Sequence, residues 1–383
     1  MKSKKEILVS AHYFLPAKKA GGPPKSIANL IDATNQQLKF KVMCCDHEFK
    51  TPAEKFKSIS LGEWTEFDGR KVIYLADGWR SLIKLICEAF DTTSEIIYLN
   101  SFFDFKYTIF PMFSIGVFST KKIILAPRGE FSLGALKIKS RKKNFYLKLF
   151  GFFRFHKRVE WQASSLKEKT DLERYWGPSI SVTLLPNFPD AELPPLQIKT
   201  DKVSGNLRLV YLARIAKIKN LLSLLQTLQS IQDAMIDLDI FGPIEDVSYW
   251  KDCQVAINAL PRNITVTFRG AVEKEEVLKT IAPYDLYILL TEGENFGHTI
   301  YEALSASVPI LISDQTPWRG LQDKNAGWDL SLSDNKGLLR ALEEAASWDS
   351  SQIKELKKGA YQLACDYVND SSRNETALSL FTL

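Results

Sequence analysis

The second half of the chain alternates short apolar runs with amphipathic ones, and that rhythm leaves few architectures open. Residues 207–213 are apolar and strand-like, 220–231 carry apolar residues at helical spacing, and 238–241 form a second strand ending in Gly242 and Pro243. The pattern continues with helix 247–260, strand 264–268, helix 273–281, strand 286–290, helix 298–306 and strand 308–312. Strands apolar on both sides must be covered on both faces, and helices between them make parallel crossovers. This predicts an α/β, doubly wound parallel sheet, in which ligands bind outside the carboxyl ends of the strands.

The first half repeats the alternation less regularly. Strands are expected at 7–11, 41–44, 72–75, 96–99, 123–125 and 182–185, with a helix at 25–34 after Gly21, Gly22, Pro23 and Pro24. At ~100–200 residues per domain, 383 residues make two domains. The best linker runs from Pro186 to Asp190 and on through Pro194, Pro195 and a polar stretch to Asn206. We therefore expect one domain at 1–189, a second at 190–370, and a helix at 371–383 that packs back on the first. Internal repeats and low-complexity segments are lacking.

The formal charge of +5 hides an asymmetry. Residues 1–189 hold 31 Lys/Arg against 18 Asp/Glu, or +13, and the remainder holds 19 against 27, or −8. Opposite signs point to different partners for the two halves, the basic half facing something anionic. The five cysteines form no C-x-x-C pair and the four histidines at 12, 47, 156 and 298 are scattered, so neither disulfides nor a zinc cluster is expected. The apolar run at the N-terminus is too short for a signal peptide. Residues 102–118 are interrupted by Asp104, Lys106 and Pro111, so they should not span a bilayer. A cytoplasmic location is expected.

Within this frame one segment carries chemistry. The strand at 286–290 leads through Glu294, Asn295, Phe296, Gly297 and His298 into a helix containing Thr299 and Glu302. A strand, a glycine-bearing turn and a helix start bring backbone N–H groups and a positive helix end toward an anion. Glu302 sits about one turn into that helix, and helical side chains lean toward the N-terminus, so its carboxylate should return to the same mouth. A carboxylate beside an anion site makes sense if it binds hydroxyls. A ligand bearing both diphosphate and hydroxyls, such as a nucleotide sugar, satisfies both.

These residues resemble the retaining family 4 glycosyltransferases, of the kind that builds bacterial surface polysaccharides. That resemblance implies the GT-B fold, two Rossmann-like doubly wound domains facing across a cleft. It rests on Glu294 and Glu302 in a Glu-x7-Glu motif, Arg214 and Lys219 after a strand, Phe241-Gly242-Pro243 at the next strand end, and Gly21-Gly22 in the first loop. It implies a catalytic set of Arg214, Lys219 and Glu294, the two cations neutralising the diphosphate as it leaves. Glu302 would accept from ribose hydroxyls, and Glu294 with the N–H groups from Phe296 to Thr299 would hold the sugar and distal phosphate. Gly21, Gly22, Gly242, Gly297 and His298 complete the implied donor site, with no metal and no cofactor. The donor would be UDP- or GDP-linked. The first domain would take the acceptor and the membrane, and the second the nucleotide sugar.

Two departures stand out. Asn295 and His298 flank Phe296-Gly297 where the family pattern reads Glu-Gly-Phe-Gly, and Arg128 follows a central strand where many members carry a histidine. Arg128 is thus a candidate for an acceptor or phosphate contact, and no catalytic base is assigned. Asp237 and Asp239 spell a D-x-D but enter a strand, and are read as structural.

Between 131 and 159 there are nine Lys/Arg and no acid, with Phe145, Leu149, Phe152 and Phe153 on one helical face. The stretch fits an anionic membrane surface, peripheral on the inner face of the cell membrane. No nucleic-acid motif accompanies it. The resulting expectation is a sugar transferase acting on a lipid-linked polysaccharide or lipopolysaccharide acceptor. A nucleotide-sugar epimerase of the same fold and a non-catalytic membrane scaffold are the alternatives.

Overall fold

The structure, a computed structural model, describes residues 5–57, 59–91, 93–137, 140–190, 192–196, 198 and 200–382. It divides into two compact units, Met1–Ala191 with Asp370–Leu383, and Glu192–Asn369.

Unit 1 is built on an eight-stranded sheet. Its strands are β1 (Lys5–Ala11), β2 (Leu38–Cys45), β5 (Trp64–Phe67), β6 (Arg70–Leu75), β7 (Ile96–Asn100), β8 (Lys122–Ala126), β9 (Glu160–Ala163) and β10 (Val182–Leu184). A separate antiparallel hairpin joins β3 (His47–Glu48) to β4 (Thr51–Lys55). The sheet runs β10-β9-β8-β7-β1-β2-β6-β5, parallel except for the β5–β6 edge. Successive side chains on a strand face opposite ways, and the cores follow. Leu8, Met43 and Cys45 join one apolar cluster, while Ile7, Val9, Val42 and Cys44 join the other. The helix Gly22–Thr34 and the late helix Ser372–Leu380 cover the second face, where Phe381 meets the rings of Phe40 and Tyr98.

The apolar run at 102–118 folds as one π-helical turn, Phe105–Ile109, continued by the α-helix Phe110–Phe118 with Pro111 in its first turn. Asp104 caps this segment, its carboxylate accepting from the Tyr107 N–H at 2.7 Å. No helix among the described residues is long and apolar enough to cross a membrane.

Unit 2 holds a six-stranded, all-parallel sheet of β11 (Asn206–Leu212), β12 (Met235–Phe241), β13 (Ile264–Gly270), β14 (Leu286–Leu289), β15 (Ile310–Ser313) and β16 (Gly327–Leu330). The order β13-β12-β11-β14-β15-β16 is that of a dinucleotide-binding Rossmann sheet, 3-2-1-4-5-6 counted from β11. Strand direction of travel reverses between β11 and β14, and the crevice outside their carboxyl ends is the place such sheets reserve for ligands. In unit 1 the same reversal falls between β1 and β7.

Candidate active site

The loop after β11 carries Arg214 and then the 3₁₀ turn Lys217–Lys219; the loop after β14 carries Glu292, Glu294 and Gly297. Because β11 and β14 are hydrogen-bonded neighbours, residues about 75 positions apart meet. Lys219 Nζ pairs with a Glu294 carboxylate oxygen, both side chains largely shielded. The backbone ties the same loops together. Glu292 N–H donates to the Ile218 carbonyl at 2.8 Å, and the Thr291 hydroxyl donates to that carbonyl at 3.0 Å. Glu294 N–H donates to the Gln315 carbonyl at 3.1 Å, fixing the loop from its other side.

Arg214 is half exposed and pairs with Glu245, at the end of the next loop over. That loop begins with Gly242, whose φ is 137°. A Cβ there would lie 1.9 Å from the Ala213 carbonyl oxygen, so only glycine lets the β12 loop run against the backbone that carries Arg214. Gly297, with φ 80°, starts the helix His298–Ser305 without any side-chain cap. As the N-cap residue, Gly297 brings no side chain to the N–H groups of that helix's first turn, the positive end that suits an anion. A Cβ on Gly297 would come within 2.7 Å of the Ile300 side chain and 3.2 Å of the Glu294 side chain. Phe296 is buried, its carbonyl accepting from the Trp318 indole at 2.6 Å and its ring edge-on to His298 at 4.8 Å.

Glu302 follows in the second turn of this helix and is partly exposed. Thr299 shares a 2.8 Å hydrogen bond with the Tyr287 hydroxyl, which also donates to the Leu212 carbonyl. Burial pushes the Tyr287 phenol far above its ordinary pKa; the Thr299 bond opposes this, and the Glu294 and Glu302 carboxylates add to it. Both carboxylates thus act on one buried hydroxyl. The structure therefore brings Arg214, Lys219, Gly242, Glu294, Phe296, Gly297, His298, Thr299 and Glu302 to one end of the unit 2 sheet. Tyr287 and Glu245 were not foreseen. Tyr287 hides inside an apolar strand, whereas the acid two positions beyond Pro243 was open to notice.

The remaining candidates belong to unit 1. Gly21 precedes and Gly22 begins the helix Gly22–Thr34, and Pro23 and Pro24 remove two of its first-turn N–H groups. Arg128 follows β8 with φ 55°. Its guanidinium is engaged inside the unit, donating to Asn100 Oδ1 at 2.6 Å, the Tyr98 hydroxyl at 2.8 Å and Asn187 Oδ1 at 2.9 Å. A phosphate would have to displace these partners. Asp239, of the D-x-D, accepts from Arg269 Nε at 3.0 Å and from the Tyr284 hydroxyl.

The basic stretch forms the helices Leu133–Lys137 and Ser140–Phe152, with Ile138 and Lys139 outside the described residues. Tyr146, Leu147 and Phe150 pack inward, while Phe145 and Phe152 are 66% and 80% exposed beside the exposed Arg141, Lys142 and Lys148. Lys143 turns back to donate to the Ala135 carbonyl at 2.6 Å.

Although the histidines are scattered in the sequence, two of them meet in unit 1. Parallel pairing of β1 with β2, Ser10 opposite Met43, brings His12 to Cys45 and His47.

Residues 196–346 match the family model described as "Glycosyl transferases group 1". No curated protein matches the chain. Among solved structures, sucrose-phosphate synthase from Thermosynechococcus elongatus superposes with a TM-score of 0.70 at 15% identity, over 98% of this chain and 97% of its own. The Anabaena protein HepE in complex with UDP-glucose gives 0.69 at 12% identity, over 98% of each chain. WaaG, a glycosyltransferase involved in lipopolysaccharide biosynthesis, gives 0.65 at 12%, over 99% of this chain and 100% of its own. At these identities the likeness establishes the fold, which is GT-B.

Proposed function

We propose that the chain is a glycosyltransferase taking its sugar from a nucleotide-sugar donor held by unit 2. The observation that carries this reading is the Lys219–Glu294 pair at the β11/β14 switch point, beside a helix that begins after Gly297 and holds Glu302 in its second turn. Cations and helix N–H groups suit a diphosphate, and carboxylates suit the hydroxyls of ribose and sugar. Support comes also from the match to the glycosyltransferase family model and from HepE, described in complex with UDP-glucose.

In the proposed reaction the bond between the anomeric carbon and the diphosphate oxygen breaks while the acceptor oxygen bonds to the same face of that carbon. Charge grows on the leaving diphosphate, where Arg214 and Lys219 stabilise it, and the acceptor's proton passes to a leaving-phosphate oxygen. Glu302 binds ribose, and Glu294 orients the sugar. These side chains stand in for a divalent metal, and the transfer is retaining. The acceptor is a lipid-linked surface glycan or lipopolysaccharide. WaaG's involvement in lipopolysaccharide biosynthesis supports this, as does the exposed aromatic and basic face of the Ser140–Phe152 helix.

Thermal-shift screening against UDP- and GDP-linked sugars, followed by product analysis with a lipid-linked acceptor, tests the proposal. A true donor raises the midpoint by mass action. Sugar appearing on the lipid supports transfer. No stabilisation by any nucleotide sugar, with no nucleotide released, would sink it.

A further inference from the structure

The switch point of unit 1 collects a different chemistry. His12 follows β1, Cys45 ends β2, and His47 begins the β3–β4 hairpin. One ligating atom from each, a ring nitrogen of both histidines and the cysteine Sγ, lies within 4.8 Å of the others. Cys45 and His47 are buried, and His12 opens partly to solvent. The backbone locks the three together, with Cys45 N–H donating to the His12 carbonyl at 2.9 Å and the Cys45 thiol to the His47 carbonyl at 3.3 Å.

Both imidazoles are oriented through a contact at Nδ1. His12 Nδ1 is 2.5 Å from Asp104 Oδ2, and His47 Nδ1 is 3.1 Å from the Glu48 carbonyl oxygen. Each of these contacts fixes the orientation of its ring through Nδ1. An imidazole oriented by a carboxylate or carbonyl through its other nitrogen is the usual second layer of a metal site. Asp104 sits in the loop after β7, so the contact spans the β1/β7 reversal, where a doubly wound sheet binds its ligands. Asp77 adds an exposed carboxylate 3.7 Å from His47 Nε2.

We propose that His12, Cys45 and His47 form a zinc site, with the fourth position taken by Asp77 or water. Two neutral imidazoles and a thiolate suit a borderline-soft ion and do not suit magnesium or calcium, which take oxygen ligands. On binding, the Cys45 S–H bond gives way to a Zn–S bond and the proton leaves to solvent. Ligand atoms in a tetrahedral zinc site lie about 3.3–3.8 Å apart, as bond lengths of about 2.0–2.3 Å require, so the cluster closes by about 1 Å. The ion would join the β1 loop to the β3–β4 hairpin. Glu48 of that hairpin already grips the same loop through the N–H groups of Lys18 and Lys19, at 2.9 and 3.0 Å. The site uses no residue assigned above to the donor.

Cobalt is the probe, because a Co–thiolate bond gives a near-ultraviolet charge-transfer band. Tag-free full-length protein, stripped with chelator and titrated with Co²⁺, should develop that band with saturation near one equivalent, and zinc should abolish it. Cys45→Ser should lose the band. Asp104→Asn should weaken cobalt binding ~10–100-fold, as loss of an orienting partner does. Wild-type protein without a band overturns the site, and so does a band that survives Cys45→Ser but disappears with the exposed Cys87→Ser. The wild-type titration decides even if Cys45→Ser fails to fold.

Discussion

Both sheets reverse their strand order beside their first strand, and both set charged or polar groups from two loops against each other at that point. In unit 2 the groups are an ammonium and a carboxylate, Lys219 and Glu294, flanked by Arg214 and by helix N–H donors. In unit 1 they are an imidazole and a carboxylate, His12 and Asp104, flanked by a thiol and a second imidazole. The first set suits a large anion with hydroxyls and the second a small soft cation. One topology prepares a crevice, and the loop residues alone decide what enters it.

The largest test of that contrast is charge removal. Lys219→Ala or Arg214→Ala should lower sugar transfer on the order of 100-fold or more, as expected when an oriented cation at a leaving group is lost. Arg128→Ala, in unit 1, should act mainly on stability, because it strands Asn100, Asn187 and Tyr98 without their donor. Transfer rates and thermal melts on the three variants settle it, and equal loss of transfer in all three would erase the distinction between the units.

Next comes the surface. Replacing Arg141, Lys142 and Lys148 with Gln should weaken binding to anionic vesicles on the order of 100-fold, at about 1 kcal/mol per cation near the surface. High salt should do the same to the unaltered protein. If co-sedimentation is unchanged by both, the basic face of unit 1 is only solvated.

A smaller effect separates the two acids of unit 2. Glu302→Gln should weaken nucleoside diphosphate binding about tenfold, the scale of a lost charged hydrogen bond. Glu294→Gln leaves Lys219 free for phosphate, so it should spare the diphosphate and impair only the intact donor. Calorimetry with both ligands checks this, and parallel losses would end the division of labour.

The smallest concerns acid stability of unit 1. Burial raises the Glu6 carboxyl, but hydrogen bonds from Lys41 and Thr93 and the Lys41 charge outweigh it and hold it down at about 2. A depressed carboxyl stabilises the fold above its unfolded pKa, and the contribution is lost as pH falls from about 4.5 toward 2. After discounting for solvent screening this amounts to about 1–2 kcal/mol. Urea midpoints between pH 5 and 2.5 should therefore fall less steeply in Glu6→Gln. Matching slopes would show that the carboxylate does not feel Lys41.

Much of unit 2 was legible because its strands are apolar on both sides. The strand expected at 207–213 is Asn206–Leu212, and the helix expected at 298–306 is His298–Ser305. Glu294 and Glu302 were visible through their spacing around a glycine turn. The pairing of Glu294 with Lys219 was not, because it depends on β11 and β14 being neighbours, a property of strand order. The same blindness hid the cluster of His12 with Cys45 and His47, two segments far apart in sequence and joined by one parallel pairing. The β3–β4 hairpin escaped because it is short and polar, and β16 because four residues beginning with glycine carry little strand signal.

The late helix Ser372–Leu380 has a consequence in time. Unit 2 is one unbroken stretch of chain inserted into unit 1, whose second core waits for Ala377, Leu380 and Phe381. A ribosome delivers β1 through β10 before unit 2 and those three residues only after it. Until then Phe40 and Tyr98 lack the ring that closes over them, while unit 2 already has every residue of its own core. The half of the molecule made first is therefore the half that finishes folding second, and it must keep a bare apolar face from aggregating throughout the synthesis of the other.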